Sequence, residues 1–348
     1  MRAVNLRVEG EYWEFLIKYN KLFLWNLVGE IEIYNWEEIL RNISSTYGNL
    51  IYSLFNGSMK NKIFIEKDII GLTSDNNNND IYLSKNYLER YLEKNVLTPN
   101  EEVITSINSY NDNLIINTDD GLFISFLDDM ERFEKITDMP FYNISVGTYG
   151  RVAFAGGEEG IFVLLLPPNN YKDYKGYKEN FRNVIKKHSN KTSWVKNNIY
   201  SSSYFEEFIL DPQNLNKKHY DENQIFKHSN NEEKAKVTWV NNNKIYRKLN
   251  SSTLEEVTVI DLGDGKLSFK SRVLNFQDWK GEIIAGAGTA FGTIVECENA
   301  MVIIFKDTSV MNIPGEVVRW KSYRSNERYS NILGIIYDEE LVLSAFNY

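Results

Sequence analysis

The chain has 348 residues with 39 basic and 48 acidic side chains, a net charge of −9, and 43% hydrophobic residues including 22 Tyr, 19 Phe and 7 Trp. That composition excludes a disordered polypeptide, and the acidic balance argues against general affinity for nucleic acid or an anionic membrane. A single cysteine, Cys297, excludes an intrachain disulfide framework and suits a reducing compartment.

The first ten residues carry no apolar stretch of signal-peptide length, and no apolar run approaches the roughly 18 residues of a spanning helix. A cytoplasmic protein is therefore expected, without membrane contact. In chain order, Ala3 to Val8 reads as a lone strand. Trp13 to Ile17, Lys21 to Leu27 and Glu30 to Tyr34 follow as three strands joined by turns at Tyr19-Asn20 and Val28-Gly29. Trp36 to Ile43 places Trp36, Ile39, Leu40 and Ile43 on one helical face, and Tyr87, Leu88, Tyr91 and Leu92 do the same within Ser84 to Lys94. Between them a weaker strand copy is read at Tyr47 to Leu54, Ile63 to Ile65 and Ile81 to Leu83.

The clearest pattern spans Ile104 to Leu166 and is stated twice. Ser106 to Tyr110, Leu114 to Thr118 and Leu122 to Leu127 form the first copy; Ile144 to Gly147, Arg151 to Ala155 and Ile161 to Leu166 form the second. Asp, Asn and Gly mark every turn, so each copy reads as a small antiparallel sheet. Further copies run through Ser193–Leu210, Val237–Ile260 and Val273–Cys297, and Ile332 to Tyr337 with Leu341 to Phe346 make a closing hairpin. The second strand recurs at Leu114, Val152, Ile199, Ile245 and Ile283, at intervals of roughly 40 to 50 residues.

Sheets that are apolar on both faces cannot be satisfied alone, and stacking them around an axis covers both faces. The chain thus resembles β-propeller repeat proteins of the WD40-like kind. The likeness lies in the repeat, since no Trp-Asp pair ends a strand and Gly156-Gly157 matches the kelch double glycine in one unit only. The expectation is an all-β fold: one β-propeller domain over residues 1–348, seven-bladed with six or eight as alternatives, with short helical insertions. Ala3 to Val8 and the final hairpin are expected to share a blade.

A basic aromatic insertion occupies residues 167–192. Lys172, Lys175, Lys178, Arg182, Lys186, Lys187 and Lys191 face only Asp173 and Glu179, and Tyr171, Tyr174, Tyr177, Phe181 and Val184/Ile185 fall at helical spacing. A docking helix for an acidic protein or for nucleic acid is one reading, and a helix packed between blades is the other. A second basic aromatic run contains Arg319, Trp320, Tyr323, Arg324 and Arg328, residue types enriched at interaction hot spots. The predicted partner-contact residues are Tyr171, Lys172, Tyr174, Lys175, Lys178, Arg182, Lys186 and Lys187, together with that second run.

Other features read as structural. Gly286 to Gly292 spaces its glycines wrongly for a dinucleotide loop and leads into a strand, so it reads as a hairpin turn. Asp75 to Asp80 lacks the glycine and terminal glutamate of a calcium loop. His188, His219 and His228 show no zinc spacing, and no metal or other cofactor is expected. Turn carboxylates such as Asp119, Asp120, Glu158, Glu159, Asp338 and Glu339 could line a propeller mouth, but their spacing selects no acid/base pair. The resemblance implies a non-enzymatic scaffold that binds another protein. A propeller enzyme or small-ligand binder with its site at the central channel is the alternative, and a nucleic-acid-associated factor is the third.

Overall fold

A computed structural model describes residues 3–57, 80–98, 104–166, 174–212, 219–220, 235–249, 253–262, 266–274, 281–323 and 327–346. Among these the strands form seven sheets, and the fold is an all-β, seven-bladed propeller with a few short helices. By compactness the chain divides into a first unit (1–98, 280–282, 287–348) and a second (99–279, 283–286).

In the second unit each blade is a four-stranded antiparallel meander. One comprises Ile104–Tyr110, Asn113–Thr118, Gly121–Phe126 and Asp129–Thr137; the next Asn143–Val146, Arg151–Ala155, Ile161–Leu165 and Phe181–Ile185. Lys191–Val195, Asn198–Ser202, Glu207–Leu210 and His219–Tyr220 form a third, and Ala235–Asn241, Lys244–Leu249, Leu254–Asp261 and Leu267–Leu274 a fourth. All twelve residues of Asn113–Thr118 and Gly121–Phe126 are buried, as a sheet covered on both faces requires. Tight turns join the strands, with Asn111, Lys196 and Asn242 in the left-handed region that such hairpins demand.

In the first unit, Tyr12–Lys18, Lys21–Asn26, Glu30–Asn35 and Leu92–Leu97 form one sheet. Gly292–Cys297, Ala300–Phe305 and Val310–Pro314 belong to another, whose first strand is Ile283–Gly288. The remaining sheet joins the two ends of the chain: Arg319–Ser322, Ile332–Ile336 and Glu340–Phe346 are followed by Ala3–Glu9 and then by Asp80–Leu83. Ala3–Glu9 runs antiparallel to Glu340–Phe346, with Leu6 opposite Leu343, so the expected sharing of one blade by both termini is what the structure contains. Arg7 ties three strands together through Asp80 (2.7 Å) and Glu340 (2.5 Å).

Helix α1, Trp36–Tyr47, buries Trp36, Ile39, Leu40 and Ile43 as the spacing predicts, and the Asn35 side chain caps it by accepting from the Glu38 N–H. The strand read at Tyr47 to Leu54 is instead helix α2, Asn49–Phe55, because Leu50, Ile51, Leu54 and Phe55 bury at helical spacing. Helix α3, Lys85–Leu88, is shorter than expected: after a 3₁₀ turn the chain extends into Leu92–Leu97, which covers the open edge of Glu30–Asn35. The strand read at Ile63 to Ile65 and the loop at Asp75 to Asn79 lie outside the described residues.

Val273 also belongs elsewhere than predicted. It lies near the end of the outer strand of its blade and does not begin the next. Gly286 to Gly292 does span the turn between Ile283–Gly288 and Gly292–Cys297, where Thr289 Oγ1 donates to the Gly292 carbonyl (3.0 Å).

Two contacts fix neighbouring blades. Gly334 lies under the Phe15 ring, and a Cβ there would stand 2.0 Å from Phe15 Cζ. In the second unit Arg247, 1% exposed, meets Glu207 (2.9 Å) across to the preceding blade and Glu255 (2.6 Å) within its own. Tyr200 donates to the same Glu207 (2.6 Å). Burial works against the Arg247 charge, but the two carboxylates outweigh it and hold the guanidinium above its ordinary pKa.

Gly334→Ala should cost about 1–3 kcal/mol in urea unfolding by overpacking, with part regained when Phe15→Leu is added; an unchanged midpoint would refute the close approach. Arg247→Met should cost about 3–5 kcal/mol, because two buried carboxylates lose their partner. Arg272→Met, whose guanidinium is mostly exposed beside Glu256, should cost less than about 1 kcal/mol.

Candidate functional site

The basic insertion does not form the predicted docking helix. Helix α4 covers only Tyr174–Asn180, and Phe181–Ile185 is the outer strand of its blade, with Phe181 opposite Leu164. An open sheet edge was available, and Phe181, Val184 and Ile185 are strand-favouring residues. Phe181 stacks on Phe162 at 5.3 Å and meets Phe141 and Phe154 edge-on. Tyr177 is wholly buried, donating to Asn113 Oδ1 (2.7 Å) in the preceding blade. Tyr177 is therefore core, and Phe181 packs against that core half-buried.

The cations of that insertion are scattered. Lys178 pairs with Glu134 (2.7 Å), whose carboxyl is held below its ordinary pKa chiefly by that lysine. Lys187 pairs with Glu206 (2.9 Å) and lies over the Phe208 ring (5.1 Å), while Arg182 and Lys186 are exposed. Tyr171 and Lys172 lie outside the described residues, as do the side chains of Tyr174 and Lys175.

The second run is engaged in part by neighbouring strands. Arg319–Ser322 is the end strand of the closing sheet, and it clamps the buried Glu14 carboxylate through Arg319 (3.0 Å) and Lys321 (3.0 Å). Arg319 also covers the Trp13 ring at 4.0 Å, and Trp320 donates to Glu296 (2.6 Å). Tyr323 is a correction to the predicted contact set: it is 4% exposed, and its oxygen accepts from the Ile17 N–H (2.6 Å). Burial raises its pKa well above the ordinary tyrosine value. Arg328 donates to the Asn56 carbonyl (2.6 Å), and Arg324 lies outside the described residues. Arg319–Ser322 is half-buried throughout, and Arg328 is exposed.

What the sequence reading missed is an aromatic face at one end of the second unit. Tyr142 precedes the strand Asn143–Val146, and its N–H donates to the Ala155 carbonyl, placing it at the same end as the 156–160 turn. Gly157 in that turn bridges Ser189, which leads into Lys191–Val195, and the partner of Lys191 is Ser202, before the 203–206 turn. Tyr142 is 72% exposed, Tyr204 80% and Phe205 65%. The ring of His188 meets Phe205 edge-on at 5.1 Å, and Lys186 stands exposed in the same connection. Lys187 is tied to this end by Glu206. Residue type gave no signal, because tyrosine stands also in the turns at Tyr19 and Tyr149. Within the copy read at Ser193–Leu210, the third strand is Glu207–Leu210, which leaves Tyr204 and Phe205 in the turn.

The turn carboxylates are not assembled into an acid/base site. Asp120 pairs with Lys135, Glu158 and Glu159 stand exposed on another blade's turn, and Asp338 and Glu339 belong to the first unit. Among the described residues no group of three His, Cys, Asp or Glu side chains could hold a metal ion, and no helix is long and apolar enough to cross a membrane. Cys297 is buried in its strand, as expected of a packing residue.

With fold and surface in place, the class is a WD40-like, seven-bladed β-propeller. The structure is similar to the β-propeller domain of Cps50 (Swd1) from Myceliophteria thermophila, with a TM-score of 0.54 and 10% identity over 97% of this chain and 100% of that one. It is similar also to the Pan2 WD40 domain of Neurospora crassa (TM-score 0.50, 8% identity, 99% and 96% covered) and to a streptogramin B lyase (0.51, 8%, 97% and 94%). At such identities the likeness shows the fold alone, and one of the three is by its name an enzyme. No protein-family model matches the sequence, and no curated protein matches it.

Replacing Arg319 and Lys321 together by alanine should lower the melting temperature, because Glu14 is left buried without a cation. Adding Glu14→Gln should restore part of the loss. A melting temperature unmoved by the double alanine variant would show that the run is not structural.

Proposed function

We propose that this chain is a non-enzymatic interaction scaffold that binds another protein, as a subunit of a larger assembly, through the loop face carrying Tyr142, Tyr204 and Phe205. The observation behind the reading is that three large aromatic side chains stand in solvent on turns at one end of adjacent blades, beside Lys186 and His188. Exposed aromatics set in a contiguous surface are the anchors that bury on association, with tyrosine over-represented among them. A rigid blade stack presents such turns with little ordering to lose on binding. The single buried cysteine fits a reducing, cytoplasmic setting.

Nucleic-acid association through the insertion has less support, since Lys178 and Lys187 already face carboxylates. A propeller enzyme would need convergent acid and base groups, and in the second unit Asp120 and the Glu158/Glu159 pair lie on turns of different blades.

The test is affinity purification from the source cell with the native chain and the Tyr142→Ser/Tyr204→Ser/Phe205→Ser variant side by side. A stoichiometric protein partner is expected with the native chain and should fall by at least about tenfold with the variant, because anchors of this kind dominate interface energies. The melting temperature should not move. A partner retained by the variant would contradict the proposed face, and a native chain recovered alone would contradict the scaffold.

A further inference from the structure

The first unit carries a groove that the aromatic face does not involve. Between the outer strand Val310–Pro314 and the closing sheet lies a cavity of about 720 Å³ with Met311, Ile313, Ile335 and Val342 among its lining. It adjoins a second cavity of about 650 Å³, the two sharing Arg7, Tyr337 and Glu340. The second is rimmed by Glu9, Glu316, Asp338, Glu339 and Glu340, with Tyr82 as an exposed aromatic wall.

Among the described residues Arg7 is the one cation in either lining, and it is already engaged by Asp80 and Glu340. No lysine or arginine among the described residues pairs with Glu316, Asp338 or Glu339, all three exposed. A concave surface lined by charge of one sign concentrates the field and raises the local concentration of the opposite charge. Tyrosine faces at the mouth add attraction for ammonium or guanidinium groups.

We propose that this groove is a docking site for an extended segment of a partner protein that carries lysine or arginine residues next to an apolar side chain. The apolar side chain enters between Met311, Ile313 and Val342. The cations meet Glu316, Asp338 and Glu339 at the mouth, stacked against Tyr82 and Tyr337. Charge complementarity selects the basic segment, and the apolar floor separates it from a diffuse cation cloud, which would leave that surface wet.

The experiment is fluorescence anisotropy on the full chain with three labelled peptides: alternating lysine and leucine, alternating glutamate and leucine, and alternating lysine and serine. The lysine–leucine peptide should bind, the glutamate–leucine peptide should not, and the lysine–serine peptide should bind more weakly. Glu316→Lys/Asp338→Lys/Glu339→Lys, all at exposed positions, should weaken the lysine–leucine peptide by about tenfold or more, the combined effect of several exposed ion pairs. Ile313→Ser should weaken the lysine–leucine peptide and leave the lysine–serine peptide unchanged. Melting curves of both variants are the control for folding.

The Tyr142→Ser/Tyr204→Ser/Phe205→Ser variant should bind the peptide as the native chain does, so the fates of the two surfaces are read separately. Absence of lysine–leucine binding, equal binding by the charge-reversed chain, or equal binding of the leucine and serine peptides would each overturn the proposal.

Discussion

The sheets of this protein are apolar on both faces, and the need to cover both governs most of its architecture. The strands Asn113–Thr118 and Gly121–Phe126 contain no exposed residue, although a sheet standing alone would leave one face in water. Neighbouring blades supply the cover, and the contacts between them are close enough to demand particular residues. Gly334 exists under Phe15 because a methyl group would not fit. Arg247 reaches across a dry boundary because Glu207 and Glu255 are there to receive it, and the trio fixes how its two blades meet. The closing sheet applies the same logic to the chain ends, where Ala3–Glu9 covers the edge of Glu340–Phe346.

Surfaces that could recognise a partner are the parts left over once covering is complete. Among the described residues of the two basic runs, Tyr177 and Phe181 are consumed by packing, Lys178 by Glu134, and Arg319 and Lys321 by Glu14. The turns at 142 and 203–206 are not consumed. Their aromatic side chains face water although nothing in hairpin chemistry asks for rings there.

The sequence was legible where the physics is local. Alternating apolar residues and Asn- or Gly-bearing turns located the middle strands of most blades, and the apolar face of Trp36 to Ile43 located its helix. Outer strands were hidden because they are polar: Leu92–Leu97 buries only Val96, and its stability comes from pairing with Glu30–Asn35, a long-range contact with no mark in its own composition. The same blindness turned Phe181–Ile185 into helix and Val273 into the start of a blade. Helix α2 was misread because a seven-residue apolar segment, Asn49–Phe55, suits either period. For the candidate site, residue type was readable and direction was not. Basic and aromatic residues cluster at 319–328, yet Tyr323 is buried where it accepts a hydrogen bond from Ile17, some three hundred positions earlier. Tyr142 and Tyr204 stand at the same end of their blades, which the Gly157 to Ser189 bridge joins.

The proposed function places recognition on the turns at one end of the second unit. Amide hydrogen exchange of the chain, alone and with the partner it captures, tests that claim most directly. Slowed exchange concentrated at residues 140–143, 186–190 and 203–206, with the strands unchanged, is the predicted result. Protection at the opposite turns, 147–150 and 196–197, or no protection at 203–206, would contradict it.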